Sequence, residues 1–119
     1  MYERIDLGDS PLVGLRIKND ITHRENKELV DLVQRRFRQY GPVRLLVIYE
    51  ANPGLMGAEG LYDNMRFAKQ VSENIVRMVV MGQYDWEDTW IGLFGLFGGL
   101  QAKYFDRSQL EAALAWLKS

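Results

Sequence analysis

Hydrophobic residues recur along the chain with two different periods, and the order in which those periods change predicts the elements. Leu12 to Lys18 alternates, with Val13, Leu15 and Ile17 on one side and Leu12, Gly14, Arg16 and Lys18 on the other. A period of two predicts a strand with one buried face near a sheet edge. Tyr2 to Leu7 is expected to pair with it as a hairpin through the turn residues Gly8-Asp9-Ser10-Pro11. Thr22-His23-Arg24-Glu25 then has the capping-box pattern, in which a Thr hydroxyl and a Glu carboxylate satisfy orphan amides reciprocally. Leu29, Val33, Phe37 and Tyr40 follow at helical spacing, and Gly41-Pro42 stops the helix.

Val43 to Tyr49 is almost continuously apolar and rich in β-branched residues, which suits a central strand covered on both faces. Ile75 to Met81 repeats that pattern. Between the two, Ala58, Leu61, Tyr62, Met65 and Ala68 share one helical face; after them, a helix capped by Asp85 is predicted to run to about Phe97. Ala102 to Phe105 is a short strand candidate. Ser108 to Glu111 reads as a second capping box opening a last helix, with Leu110, Ala113, Leu114 and Leu117 inward. Strands alternating with helices imply right-handed crossovers. The expected architecture is a single α/β domain over residues 1–119, with a mostly parallel sheet of about five strands, an antiparallel N-terminal edge and about four helices.

Several stretches carry a resemblance to a known family. They are Val43 to Glu50, Tyr62 to Ala68, Trp86 ahead of the apolar helix, Phe94 to Phe97, Ala102 to Phe105, and Ala112 to Leu117. In these the chain resembles the STAS-type fold of the anti-sigma-factor antagonist SpoIIAA, and more closely the uncharacterised bacterial SpoIIAA-like (STAS/CRAL-TRIO-like) proteins. The resemblance implies the fold and points to a dimer; it supplies no established activity. Phosphoswitch members of the wider STAS group carry a Ser where the central strand leads into the next helix. Here that junction, Glu50 to Ala58, contains no hydroxyl, so the phosphate acceptor of that switch is missing.

Composition narrows the chemistry. The 119 residues include one His and no Cys, and 15 basic residues balance 16 acidic ones. Thiol catalysis, thiolate zinc sites and disulfide scaffolds are excluded. A net charge of −1 gives no general attraction to nucleic acid or anionic membranes. Met1 to Asp6 lacks the basic start and apolar run of a signal peptide, and the expected location is the cytoplasm. His23 directly follows the cap residue and is read as solvent-facing, so neither a nucleophile–base pair nor a metal cluster is expected. Arg35, Arg36 and Arg38 read as a solvated helix end, since a nucleic-acid surface needs a wider basic face with stacking aromatics. Glu50 ends a central strand, where ligand crevices of open α/β sheets lie, and Glu59 and Asp63 are candidate partners on the crevice rim.

Thr89 to Ala102 stands apart, because these fourteen consecutive residues carry no charge. The run is shorter than the roughly 20 residues a membrane span needs. On a helix, Trp86, Trp90, Phe94 and Phe97 form an aromatic stripe with Leu93 beside it. A helix apolar on every side needs cover beyond its own sheet. Either neighbouring helices enclose it in the domain's own core or something outside covers it; among outside covers a second subunit is the first expectation and a small hydrophobic ligand the second. Peripheral membrane contact comes third, because a charged outer face is lacking. The functional expectation is a non-catalytic binding or regulatory module acting through protein contact, with a carrier or sensor of a hydrophobic ligand as the alternative and no cofactor. Incubation with cell extract and ATP should leave residues 50–58 free of phosphate by peptide mass mapping; phosphate on the neighbouring Tyr49 would contradict the loss of this switch.

Overall fold

The computed structural model describes residues 2–8, 10–18, 22–50, 73–82 and 101–119. Their order is β1 (Tyr2–Ile5), β2 (Leu12–Ile17), α1 (His23–Tyr40), β3 (Val43–Tyr49), β4 (Ile75–Gly82), β5 (Gln101–Asp106), a 3-10 turn (Arg107–Gln109) and α2 (Leu110–Lys118). The five strands form one sheet in sequence order, β1-β2-β3-β4-β5. β1 pairs antiparallel with β2, and every later pairing is parallel. The helices expected around Ala58 to Ala68 and from Asp85 to about Phe97 lie outside the described residues, which contain two α-helices rather than four.

The apolar runs at β3 and β4 do what their composition predicts. Val43, Leu45, Val47, Ile75, Met78 and Val80 face α1 and join Leu29, Leu32 and Val33 in one core. Leu46, Ile48, Val79 and Met81 face the other way and meet Phe105, Ala113 and Leu117. Such two-sided burial is the mark of a parallel central strand. α1 forms where its caps require. The Thr22 hydroxyl accepts from the Glu25 amide at 3.1 Å and the Glu25 carboxylate accepts from the Thr22 amide at 3.1 Å. At the other end Gly41 adopts φ 84°, open to glycine, and its amide donates to the Phe37 carbonyl.

Three expectations are corrected. β2 is buried on both faces rather than one: Leu12 enters the α2-side core while Val13, Leu15 and Ile17 enter the α1-side core. Its sheet position explains this, because β1 covers its outer edge and places β2 one strand in. The second capping box forms two residues early. Asp106 accepts from the Ser108 amide at 3.1 Å and hydroxyl at 2.7 Å, while Gln109 Oε1 accepts from the Asp106 amide at 3.1 Å. A carboxylate outcompetes a hydroxyl as acceptor, and with Ser108 engaged in this way α2 begins at Leu110 without a side-chain cap. Leu110 in turn is not inward: it is 43% exposed, and only Ala113 and Leu117 of the predicted face are fully buried.

Two arginines fix α2 to the sheet. A bulge in β4 leaves Val43 opposite Ile75 but Arg44 opposite Arg77, so that Val76 is the extra residue. That offset sets Arg77 beside Arg44 on the α2 side. Arg44 Nη1 donates to the carbonyls of Leu117 at 2.6 Å and Ser119 at 2.8 Å. Arg77 Nη1 donates to the Trp116 carbonyl at 2.6 Å and to the Ser119 hydroxyl, and its guanidinium lies 4.9 Å from the Trp116 ring centre. Orphan carbonyls at a helix C-terminus are thereby satisfied by cations placed at the negative end of the dipole.

β1 and β2 approach closely at Gly14, where an added Cβ would lie 2.9 Å from Ile5 Cβ, 3.1 Å from Leu7 Cδ1 and 3.2 Å from the Ile5 carbonyl oxygen. Because the last of these is backbone, Gly14→Ala should force the strands apart and cost about 1 to 3 kcal/mol in urea denaturation. Unchanged stability would contradict this close approach.

Candidate functional site

Parallel pairing brings the carboxyl ends of β2, β3 and β4 to one edge of the sheet, and the side chains there on the α2 side form a small charged crevice. Arg16 lies opposite Ile48 in the ladder. Glu50 follows one residue beyond β3, where its amide donates to the Ile17 carbonyl at 2.9 Å, extending the ladder by one bond. That bond sets Glu50 diagonal to Arg16 on the same face, and Arg16 Nε lies 3.1 Å from Glu50 Oε1. The contact is one of charge rather than a directed hydrogen bond, because the buried Nε has no acceptor in line with its N–H. From the other side the 3-10 turn after β5 delivers Arg107, whose Nη2 is 4.0 Å from the same Glu50 oxygen.

Beside Arg16 and Arg107 lies an open crevice of about 130 Å³, lined by those two arginines with Ile48, Met81 and Leu110. Ile48 and Met81 belong to the α2-side core and make this part of the lining apolar. The three charged side chains are between 31% and 41% exposed, so solvent and ligands reach them. Three further charged groups at this end are engaged elsewhere. Lys18 Nζ lies 2.7 Å from Glu3; hydrogen bonding and charge hold the Glu3 carboxyl below its ordinary range and the Lys18 ammonium above its own. The Asp106 carboxyl is also held below the usual carboxylate range, chiefly by the hydrogen bonds from the Ser108 hydroxyl and amide.

Of the rim residues read from the sequence, Glu50 is therefore at the crevice, while Glu59 and Asp63 lie outside the described residues. Trp86, Trp90, Leu93, Phe94 and Phe97 lie outside them as well. Arg16 and Arg107 were not anticipated. Arg16 falls on the polar side of an alternating strand and Arg107 follows a capping Asp, patterns equally consistent with solvated charge. His23 is exposed on the first turn of α1. Arg36 does more than complement a helix end: its Nη1 donates to the carbonyls of Gly8 at 3.3 Å and Ser10 at 3.1 Å and so holds the β1–β2 connection. A wider groove of about 530 Å³ lies beside that connection, with Arg4, Asp6 and Arg36 among its walls, at the amino end of β2. Among the described residues no group of His, Cys, Asp and Glu could hold a metal ion, and no helix is long and apolar enough to cross a membrane.

A sequence-family model whose description is SpoIIAA-like matches residues 12–118. The chain belongs to the SpoIIAA-like family. A solved structure of similar fold is an uncharacterized protein of the DUF3478 family with a SpoIIAA-like fold from Shewanella loihica PV-4. It is 14% identical, with a TM-score of 0.66 covering 98% of this chain and 92% of that one. At that identity the likeness shows the fold alone. No curated protein matches the sequence.

The Asp106 bonds carry a pH signature. Its folded pKa is below the unfolded one, so its contribution to stability is present above the ordinary carboxylate range and is lost as pH falls through the folded value. The melting-temperature gap between wild type and Asp106→Ala should therefore be constant near neutrality and narrow below about pH 4. A gap that stays constant to pH 3 would contradict this role.

Proposed function

We propose that this SpoIIAA-like domain is a non-catalytic binding or regulatory module that works through protein contact, using the carboxyl end of its sheet. The observation that carries this reading is the Arg16–Glu50–Arg107 cluster: one carboxylate set between two guanidiniums beside a partly apolar crevice. Such a cluster offers charge and shape for recognition, whereas a general acid or base must be free to exchange a proton with substrate. Arginine stays protonated and cannot serve as a base at neutral pH. The uncharged run from Thr89 to Ala102 supports the protein-contact part, since an apolar stripe of that size calls for cover.

The second reading, a carrier or sensor of a small hydrophobic molecule, rests on that same run. The crevice does not favour it, for about 130 Å³ is well below the roughly 300 Å³ at which pockets for drug-sized ligands begin.

One variant separates the readings. Phe94→Asp should split a homodimer into folded monomers by light scattering and circular dichroism, because it sets an unpaired carboxylate in the contact. Unfolding would instead place the stripe in the core. Loss of bound apolar material in native mass spectrometry, with the oligomer intact, would favour the carrier. The purified protein should also show no esterase or phosphatase rate above buffer; a rate abolished by His23→Ala or Glu50→Gln would overturn the non-catalytic reading.

A further inference from the structure

Arg16 comes from β2 and Arg107 from the 3-10 turn after β5, yet both reach the same oxygen of Glu50, at 3.1 and 4.0 Å. Convergence of two planar donor groups on one oxyanion is the geometry by which proteins recognise carboxylates and phosphates. Here the oxyanion in place is the protein's own. Neither guanidinium is fully used: the buried Arg16 Nε has no hydrogen-bond acceptor, and Arg107 stands at the outer limit of ion-pair distance. The neighbouring acids are engaged with other groups, Glu3 with Lys18 and Asp106 with Ser108, which leaves Glu50 in contact with the pair among the described residues.

We propose that Arg16 and Arg107 form a binding site for a single oxyanion, a carboxylate or a phosphate, carried on a short aliphatic stem, and that Glu50 is its built-in competitor. The crevice limits the part of the ligand that it can enclose. At about 130 Å³ it holds roughly four times the liquid volume of one water, enough for an oxyanion and a few methylenes. Its apolar lining of Ile48, Met81 and Leu110 rewards an aliphatic stem over a bare ion, by about fourfold for each methylene fully buried. Glu50 sets the strength. An exposed ion pair is worth up to about fivefold in an equilibrium constant, so an incoming anion must overcome a competitor of that order. Binding would release the Glu50 side chain, and with it the tie between the ends of β2 and β3 and the turn that starts α2.

This inference deepens the binding reading above and rests on it only in taking this end of the sheet as the working surface. The test titrates the full chain with inorganic phosphate, acetate and butyrate at pH 7 and fixed ionic strength, following the Nε–Hε resonances of Arg16 and Arg107 by NMR. Saturable shifts of both resonances are expected, with about fivefold tighter binding in Glu50→Gln. Their loss is expected in Arg107→Gln. Butyrate binding several-fold tighter than acetate would identify an aliphatic carboxylate as the ligand chemistry; saturation by phosphate alone would identify a phosphate. Should Glu50→Gln fail to fold, Glu50→Ala replaces it, and the wild-type titration already tests the arginine pair. Absence of saturable shifts in both wild type and the Glu50 variant, or equal affinity in the two, would overturn the proposal. A hydrolytic rate would overturn the binding reading without touching this result.

Discussion

Burial of β3 and β4 on both faces is the constraint on which the remaining structure depends. Their side chains alternate between two cores, one closed by α1 and the other by α2. Each large side chain moved from water into such a core contributes about 1.5 to 3 kcal/mol, so neither face can be left open. A parallel sheet with a helix on each face follows, and with it the gathering of strand carboxyl ends at one edge. The crevice of Arg16, Glu50 and Arg107 exists because that edge exists.

The two ends of α2 have complementary tasks. Its C-terminal carbonyls are held by Arg44 and Arg77 at the amino end of the sheet, while its first residue, Leu110, borders the crevice at the carboxyl end. The helix is only nine residues long, so docking at one end sets the position of the other. The bulge at Val76 gains a purpose in this setting. It is exposed at 36%, and its insertion sets Arg77 beside Arg44 rather than one step along the ladder. Guanidiniums that neutralise helix carbonyls on the sheet floor thereby help support a wall of the crevice. Charge is used twice in this fold, once to anchor α2 and once to present a surface.

Much of the fold was legible in the chain because it rests on short-range rules. The reciprocal cap at Thr22 and Glu25, the stop at Gly41, and the bounds of β3 and β4 all come from local steric and hydrogen-bond chemistry. What local rules did not reach were choices between nearby alternatives. Asp106 and Ser108 could each cap the last helix, and the stronger acceptor started the turn earlier. β2 alternated as if half exposed, yet its place one strand in from the edge buried both faces. For the crevice, Glu50 was legible because its position at a strand end places it on the carboxyl edge of the sheet. Arg16 and Arg107 were not, since only the register of β2 against β3 and the turn after β5 bring them to Glu50. Arg44 and Arg77 were hidden for the same reason: their partners are more than 35 residues away in sequence.

Native-state hydrogen exchange tests most directly whether α1 and α2 close the sheet as one cooperative unit. Amides of Leu45, Leu46, Val79 and Val80 in the central strands, and of Leu114 to Leu117 in α2, should exchange only through global unfolding. Both sets should share one opening free energy and one denaturant slope. Exchange of the α2 amides through a lower-energy, denaturant-independent opening, with β3 and β4 still protected, would contradict the account. It would mean that α2 is not the element that closes the second face.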